Sequence, residues 1–120
     1  MLEEKWEFIK GFNTYQISTL GRIRTYNKIW YCGNGAKRVS HLKPVPFTYG
    51  KTRGHHYYRC TLTEDGRQLC TTVHRLVATQ FIPNPEDKPE VDHIDRNIYN
   101  NSVTNLRWVT AKENCENRRR

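Results

Sequence analysis

The segment from Val91 to Asn117 concentrates side chains that can carry out hydrolytic chemistry. Asp92 and His93 are adjacent, Asn105 follows the histidine by twelve residues, and Asn114 follows nine residues later. A carboxylate and an amide oxygen can bind a hard divalent cation, and an imidazole can take a proton from water near neutral pH. The remaining amide can fix the imidazole or its loop. The set indicates metal-assisted phosphodiester hydrolysis. A polar loop that closes a small hairpin is an equally good interpretation of the local composition, because Asn tolerates turn conformations.

The flanking sequence predicts the elements that hold these residues. Residues 89–93 form a short first strand, and residues 106–109 a second one whose apolar positions alternate with a period of two. The polar connection 94–105 is too long for a tight turn. Thr110 is a good helix N-cap, and Glu113 completes a capping box three residues later. We therefore expect strand, loop, strand and helix, with the acid and imidazole on the first strand and the last asparagine on the helix.

This pattern resembles the catalytic motif of HNH endonucleases, the ββα-metal fold, and most of all that of the phage and intron-associated homing endonucleases. Val73–Ala78 and Phe81–Pro85 resemble the lead-in that those enzymes carry before the hairpin. Trp6–Arg24 is similar to their N-terminal DNA-binding module. Position 114 is Asn where many HNH proteins carry a second His, a departure that is also met within the homing group.

The resemblance implies a role for each residue of the motif. His93 is expected to be the general base, and Asn105 to keep the loop around it in register. Asp92 and Asn114 are expected to hold one Mg²⁺ or Mn²⁺. Asp95 is an alternative carboxylate ligand, although Asp92 matches the family motif. The implied reaction is cleavage of DNA to a 5′-phosphate and a 3′-hydroxyl.

The expected fold class is α+β, with a small β-rich N-terminal lobe and one short helix, followed by the ββα-metal motif. Residues 1–71 are predicted to form a basic β-rich DNA-binding region. Residues 72–120 form the nuclease region, with a lead-in helix at 72–81 and the motif at about 89–119.

The remaining sequence gives a coarse map of these two regions. We expect two short strands around a turn at Thr19–Gly21, and a hairpin of residues 55–62 and 67–72 turned by Asp65–Gly66. In the helix after the hairpin, an apolar stripe predicts core positions at Val73, Leu76, Val77 and Phe81. His74 beside the stripe is expected to make a structural hydrogen bond. Residues 27–54 show no clear period.

The net charge of +8 is concentrated in one part of the chain. Residues 21–75 contain eleven Lys or Arg and two acidic residues, whereas the flanking segments are nearly balanced. A concentrated basic region is typical of a nucleic-acid-binding surface. We expect double-stranded DNA as the partner, contacted by basic side chains at Arg22, Arg24, Lys51, Arg53, Arg59, Arg75, Arg118 and Arg119. Two alternatives stay open: a non-catalytic DNA-binding module, and a basic domain that binds an acidic protein.

Composition limits the other classes of protein. No apolar run approaches the ~20 residues that span a bilayer, and the acidic start is not typical of a secretory signal. We therefore expect a monomer in the cytoplasm, or in the host cytoplasm if the gene is carried by a phage. The four cysteines form no Cys-x-x-Cys pair, so the spacing favours free thiols and argues against a structural zinc site.

Overall fold

The computed structural model describes residues 3–26, 28–40, 42–45, 47–52 and 55–118. The elements in chain order are β1 (Trp6–Phe8), β2 (Tyr15–Ser18), β3 (Ile23–Thr25), β4 (Lys28–Tyr31), β5 (Lys37–Ser40), β6 (Thr48–Thr52), β7 (His55–Glu64), β8 (Arg67–Thr72), α1 (Val73–Phe81), β9 (Glu90–His93), a 3₁₀ turn (Val103–Asn105), β10 (Leu106–Val109) and α2 (Ala111–Arg118). This is the α+β class expected from the sequence.

The N-terminal sheet contains three antiparallel strands in the order β1-β2-β3, where the sequence predicted two. The predicted pair corresponds to β2 and β3, which are joined by the turn at Thr19–Gly21. The additional strand β1 is largely exposed and pairs Trp6 with Ser18. A three-residue edge strand that is half-buried at best produces no alternating pattern, which is why the sequence did not reveal it.

Residues 27–54, whose apolar positions follow no clear period, contribute strands to two further sheets. β4 and β5 pair with each other as a two-stranded ribbon, and β6 is the edge of a three-stranded antiparallel sheet in the order β6-β7-β8. The hairpin between β7 and β8 was predicted correctly. Asp65 and Gly66 both have positive φ angles, 52° and 77°, as expected for a two-residue turn that follows the right-handed twist of the strands.

Residues 90–118 fold as strand, loop, strand and helix, as predicted. β9 and β10 are antiparallel and place Arg107 opposite Asp92 and Leu106 opposite His93. The capping box at the start of α2 is also present. The Thr110 N–H donates to Glu113 Oε1 at 3.0 Å, and the Glu113 N–H donates to Thr110 Oγ1 at 3.2 Å, which satisfies N–H groups that the helix leaves without an internal partner.

One hydrophobic cluster joins the sheets to the ββα motif. It includes Ile17 and Leu62 from the N-terminal region, Val73 and Val77 from α1, and Leu106 from β10. The cluster thus crosses the predicted boundary at residue 71. The stripe predicted for α1 is core as expected, with Phe81 packed against it as a partly buried side chain. In the part of the chain that the structure describes, no helix is both long and apolar enough to cross a membrane.

Candidate functional site

His93 lies at the end of β9 in a buried position, with 5% of its surface exposed. Its Nε2 is 2.8 Å from Asn101 Oδ1, within the loop that connects β9 to β10. The carbonyl oxygen of His93 accepts a hydrogen bond from Asn117 Nδ2 at 3.2 Å. Both the ring and the backbone of His93 are therefore fixed by asparagine side chains.

Two aromatic rings from other elements cover His93. Tyr57 on β7 lies nearly parallel to the imidazole, at 6.0 Å between ring centroids, and His74 on α1 is 4.8 Å away. Burial lowers the pKa of His93 and outweighs the hydrogen bond to Asn101 and the nearby carboxylates, which raise it. Burial also lowers the pKa of His74, to about 3. Both imidazoles are therefore neutral at pH 7, which is the form in which His93 can accept a proton.

Asp92 is the most buried acidic residue of the site, with 3% of the whole residue exposed. Its Oδ2 accepts hydrogen bonds from Arg107 Nε at 3.1 Å and from Asn117 Nδ2 at 2.8 Å, and Arg107 Nη2 is 3.0 Å from the same oxygen. These donors compensate the cost of burying a carboxylate. Because all of these donors contact Oδ2, Oδ1 of Asp92 is the candidate cation ligand.

Asn105 and Asp95 form a polar network inside the loop. The Asp95 N–H donates to Asn105 Oδ1 at 3.0 Å, and Asn105 Nδ2 donates to Asp95 Oδ1 and to the Asn100 carbonyl, both at 2.9 Å. The Asn97 backbone N–H and the side chains of Asn100 and Asn105 lower the pKa of Asp95. Asp95 is thus engaged in holding the loop, whereas Asp92 faces the helix.

Asn114 and Asn117 lie one turn apart on α2 and both face β9. Asn114 is buried, and its Nδ2 donates to Glu90 Oε1 at 2.8 Å. It is Asn117, a residue that the sequence analysis did not select, that contacts Asp92. The helix therefore presents two amides to the strand that carries the acid and the imidazole.

The donors around this site suit a hard divalent cation. The candidate ligands are carboxylate and amide oxygens from Asp92 and Asn114, with Asn117 beside them, and oxygen ligands are what Mg²⁺ and Mn²⁺ prefer. Among the described residues, no group of three or more His, Cys, Asp or Glu side chains forms a metal site. With one carboxylate and one or two amide oxygens as candidate ligands, a cation bound here would have few protein ligands, as is usual for Mg²⁺.

The cysteines lie outside this site and are free thiols. Burial is the main cause that raises the pKa of the Cys60 thiol, to about 12, so that residue is an unreactive part of the core.

Several of the predicted DNA-contacting residues already have partners within the chain. Arg22 is exposed and forms an ion pair with Glu4. Arg24 donates from Nε to Gln16 Oε1 at 2.8 Å and lies 3.9 Å above the Trp6 ring. Arg22, just before β3, also lies near this ring, 5.8 Å from its centroid, and Ile23 between the two arginines is buried.

The other predicted basic contacts are distributed over several elements. Arg59 on β7 donates to Cys70 Sγ at 3.7 Å, and Arg75 on α1 donates to the Pro89 carbonyl at 2.9 Å. Lys51 is in β6 and Arg118 ends α2, but their side chains are outside the described part of the structure. Arg53 and Arg119 lie outside the described residues altogether.

The comparisons with known proteins agree with this arrangement. An HNH endonuclease family model matches residues 71–115, and a NUMOD4 motif model matches residues 4–63. The DNA endonuclease I-HmuI of Bacillus phage SP01 is 37% identical over 114 residues, which is 94% of this chain and 56% of that protein. The uncharacterized HNH endonuclease L245 of Acanthamoeba polyphaga mimivirus is 35% identical over 92% of this chain and 28% of its own length.

A solved structure is also similar. The HNH homing endonuclease I-HmuI, studied for its DNA binding and cleavage, superimposes with a TM-score of 0.72 at 35% identity, over 96% of this chain and 57% of that one. The chain therefore contains an HNH endonuclease domain at residues 71–115 and an N-terminal NUMOD4 motif at residues 4–63, and it is homologous to I-HmuI. It spans little more than half of I-HmuI.

Proposed function

We propose that this chain is a divalent-metal-dependent DNA endonuclease that hydrolyses phosphodiester bonds with His93 as the general base. The observation that carries the proposal is the placement of a buried imidazole next to a buried carboxylate, with two helix amides facing the strand that carries them. A family resemblance alone would not require these groups to meet in space.

In the proposed mechanism His93 removes a proton from the water that attacks the scissile phosphorus. With Nε2 engaged by Asn101, the accepting atom is Nδ1. The bond to the 3′ oxygen breaks, and that oxygen takes a proton from solvent, which leaves a 3′-hydroxyl and a 5′-phosphate. A Mg²⁺ or Mn²⁺ ion held by Asp92 and Asn114 would supply charge neutralisation at the phosphate and the leaving oxygen.

Within this mechanism the neighbouring residues have supporting roles. Because Asn114 Nδ2 donates to Glu90, the amide oxygen is the atom that remains to bind a cation. Asn117 holds the Asp92 carboxylate from the helix side. Asn105 keeps the loop that contains Asp95 in register, a supporting role of the kind that commonly orients ligands and bases.

We further propose that the partner is double-stranded DNA, bound by a monomer in the cytoplasm of the cell. The basic residues 21–75 supply most of the affinity through phosphate contacts, which position a protein on DNA without reading its sequence. The division into a DNA-binding region, 1–71, and a nuclease region, 72–120, belongs to the same proposal. The positions of the two family matches support it, because residues 4–63 and 71–115 do not overlap and meet close to this boundary.

The test is incubation of supercoiled plasmid with the chain and Mg²⁺ or Mn²⁺, read as nicked or linear product, beside a His93→Ala variant. General-base catalysis contributes ~10²–10⁴-fold, so the variant should lose that much rate and keep its DNA affinity. Equal rates would show that His93 is not the base. If the unmodified chain binds DNA in a salt-dependent way but does not cleave it, the chain is a DNA-binding module. If excess duplex DNA does not compete with an acidic protein for binding to the chain, the chain is a protein-interaction domain.

A further inference from the structure

Asn101 is a buried loop residue whose side chain meets the proposed base. It is 5% exposed, and its Oδ1 is 2.8 Å from His93 Nε2. An amide oxygen can only accept a hydrogen bond, so Nε2 must carry the proton and Nδ1 is left with its lone pair. Asn101 therefore selects the tautomer in which Nδ1 can act as a base.

The position of Asn101 is in turn set by the N-terminal sheet. The turn between β2 and β3 lies directly against the loop, and the Thr19 carbonyl accepts a hydrogen bond from the Val103 N–H at 2.8 Å. Gly21, in the same turn, has φ +84°. A Cβ at this position would lie 2.8 Å from both the Cβ and the carbonyl oxygen of Asn101. Such a distance is too short for any side chain, so the close approach requires glycine.

We propose that Asn101 is the positioning residue for His93 and that the Thr19–Gly21 turn holds Asn101 in place. The proposal rests on the proposed function in naming His93 as the base. It gives the N-terminal sheet a second role. Besides contacting DNA, the sheet fixes one side of the catalytic loop, 80 residues away along the chain from Gly21 to Asn101.

The first test compares Asn101→Ala with Asn101→Asp in the full chain. The alanine variant has no acceptor for Nε2–H, whereas the aspartate variant keeps an oxygen at the same position. Loss of a residue that orients a catalytic group commonly costs ~10–100-fold, so we expect the single-turnover cleavage rate of Asn101→Ala to fall by that factor with unchanged DNA affinity. Asn101→Asp should recover most of the rate.

The matched control for this pair is Asn100→Ala. Asn100 is the preceding loop residue, and its Nδ2 donates to Asp95 Oδ2 at 3.1 Å. If general loosening of the loop were the cause, Asn100→Ala would lose as much rate as Asn101→Ala.

The ¹⁵N chemical shifts of the His93 ring provide a readout that does not depend on cleavage. We expect the metal-free, unmodified chain and Asn101→Asp to show the Nε2–H tautomer, and Asn101→Ala to show a mixture with Nδ1–H. An unchanged tautomer and an unchanged rate in Asn101→Ala would overturn the proposal. Retained cleavage by His93→Ala would refute the proposed function instead, while the ring shifts would still decide whether Asn101 sets the tautomer.

The second test isolates the turn with a pair of glycine variants. Gly11 has a similar φ of +87°, but a Cβ built there meets nothing within 4 Å. Gly21→Ala and Gly11→Ala therefore introduce the same backbone strain, and only the first pushes on Asn101. We expect Gly21→Ala alone to slow cleavage and to change the His93 ring shifts, and its effect on rate should not multiply with that of Asn101→Ala. Equal behaviour of the two glycine variants would remove the turn from the proposal.

Discussion

The ion pair between Arg107 and Asp92 predicts that metal binding and the stability of the metal-free protein are opposed. The two residues are directly opposite each other on β10 and β9. The Asp92 side chain is 4% exposed and that of Arg107 is 49% exposed. Arg107 thus compensates a buried carboxylate that is also the proposed ligand, and a bound cation would share that carboxylate with it.

Arg107→Met keeps the aliphatic stem and removes the charge, so its two effects can be estimated. A hydrogen bond to a charged group contributes about 1.5–3 kcal/mol. Because Arg107 is half exposed, solvent screening reduces the loss to the lower limit of this range or just below it, about 1–1.5 kcal/mol. For a domain of this size the melting temperature should fall by roughly 4–8 °C in EDTA. Removal of a positive charge a few ångströms from the cation should tighten divalent binding by at least about tenfold.

The assay is thermal unfolding in EDTA and at increasing Mn²⁺, with Lys112→Met as a control. Lys112 is exposed on α2, so its substitution removes one charge and leaves the Asp92 carboxylate untouched. Arg107→Met should be the least stable protein in EDTA and should gain the most from Mn²⁺. If Mn²⁺ raised the melting temperature of the unmodified chain, Arg107→Met and Lys112→Met by the same amount, Asp92 would not be the metal ligand whose charge Arg107 compensates.

Three further predictions concern other parts of the molecule. Asp92→Asn should abolish cleavage at every Mn²⁺ concentration, whereas Asn114→Asp should bind metal at least as tightly; metal titrations of cleavage that show the reverse would move the ligand elsewhere. Arg22→Gln should reduce the slope of log affinity against log salt by ~0.9, and Glu4→Gln, which frees the same arginine, should raise affinity. No change in either would mean that the Trp6 face points away from DNA. Glu64→Gln should destabilise the protein by roughly 2 kcal/mol at pH 7, measured by urea unfolding, because Glu64 Oε1 accepts from the Thr14 hydroxyl and backbone N–H at 2.7 and 2.8 Å. Burial raises the pKa of Glu64, but the hydrogen bonds from Thr14 and Asn13 and the charge of Arg67 outweigh it, and the net pKa is lowered. The stabilisation is therefore present above the unfolded pKa and is lost as pH falls through the folded one, and a difference that persisted at pH 2 would contradict this origin.

The ββα motif and the hairpin of β7 and β8 could be predicted from the sequence because their signals are local. The Thr110–Glu113 capping box and the Asp65–Gly66 turn each depend on residues within one turn of chain, and both were predicted correctly. The same holds for the order of strand, loop, strand and helix. Family resemblance then supplied the roles that spacing alone left open.

The contacts that sequence reasoning missed join segments that are distant along the chain. Tyr57 and His74 reach His93 only because β7 and α1 pack over β9. Asn117 looked like one of several polar residues on a short helix, and its position one turn after Asn114 was the only available signal. Asn101 stands beside Asn100 in an asparagine-rich loop, and nothing local distinguishes the one that faces the imidazole.

The shared hydrophobic cluster determines whether the two regions of the chain can fold independently. Two segments that match separate family models are joined here by a single core, in which Ile17 and Leu62 from one segment pack in the same cluster as Val77 and Leu106 from the other. The boundary between the two family matches is thus not a boundary between folding units. A chimaera that joined a foreign N-terminal segment at residue 71 would have to replace these apolar contacts before its nuclease motif could fold.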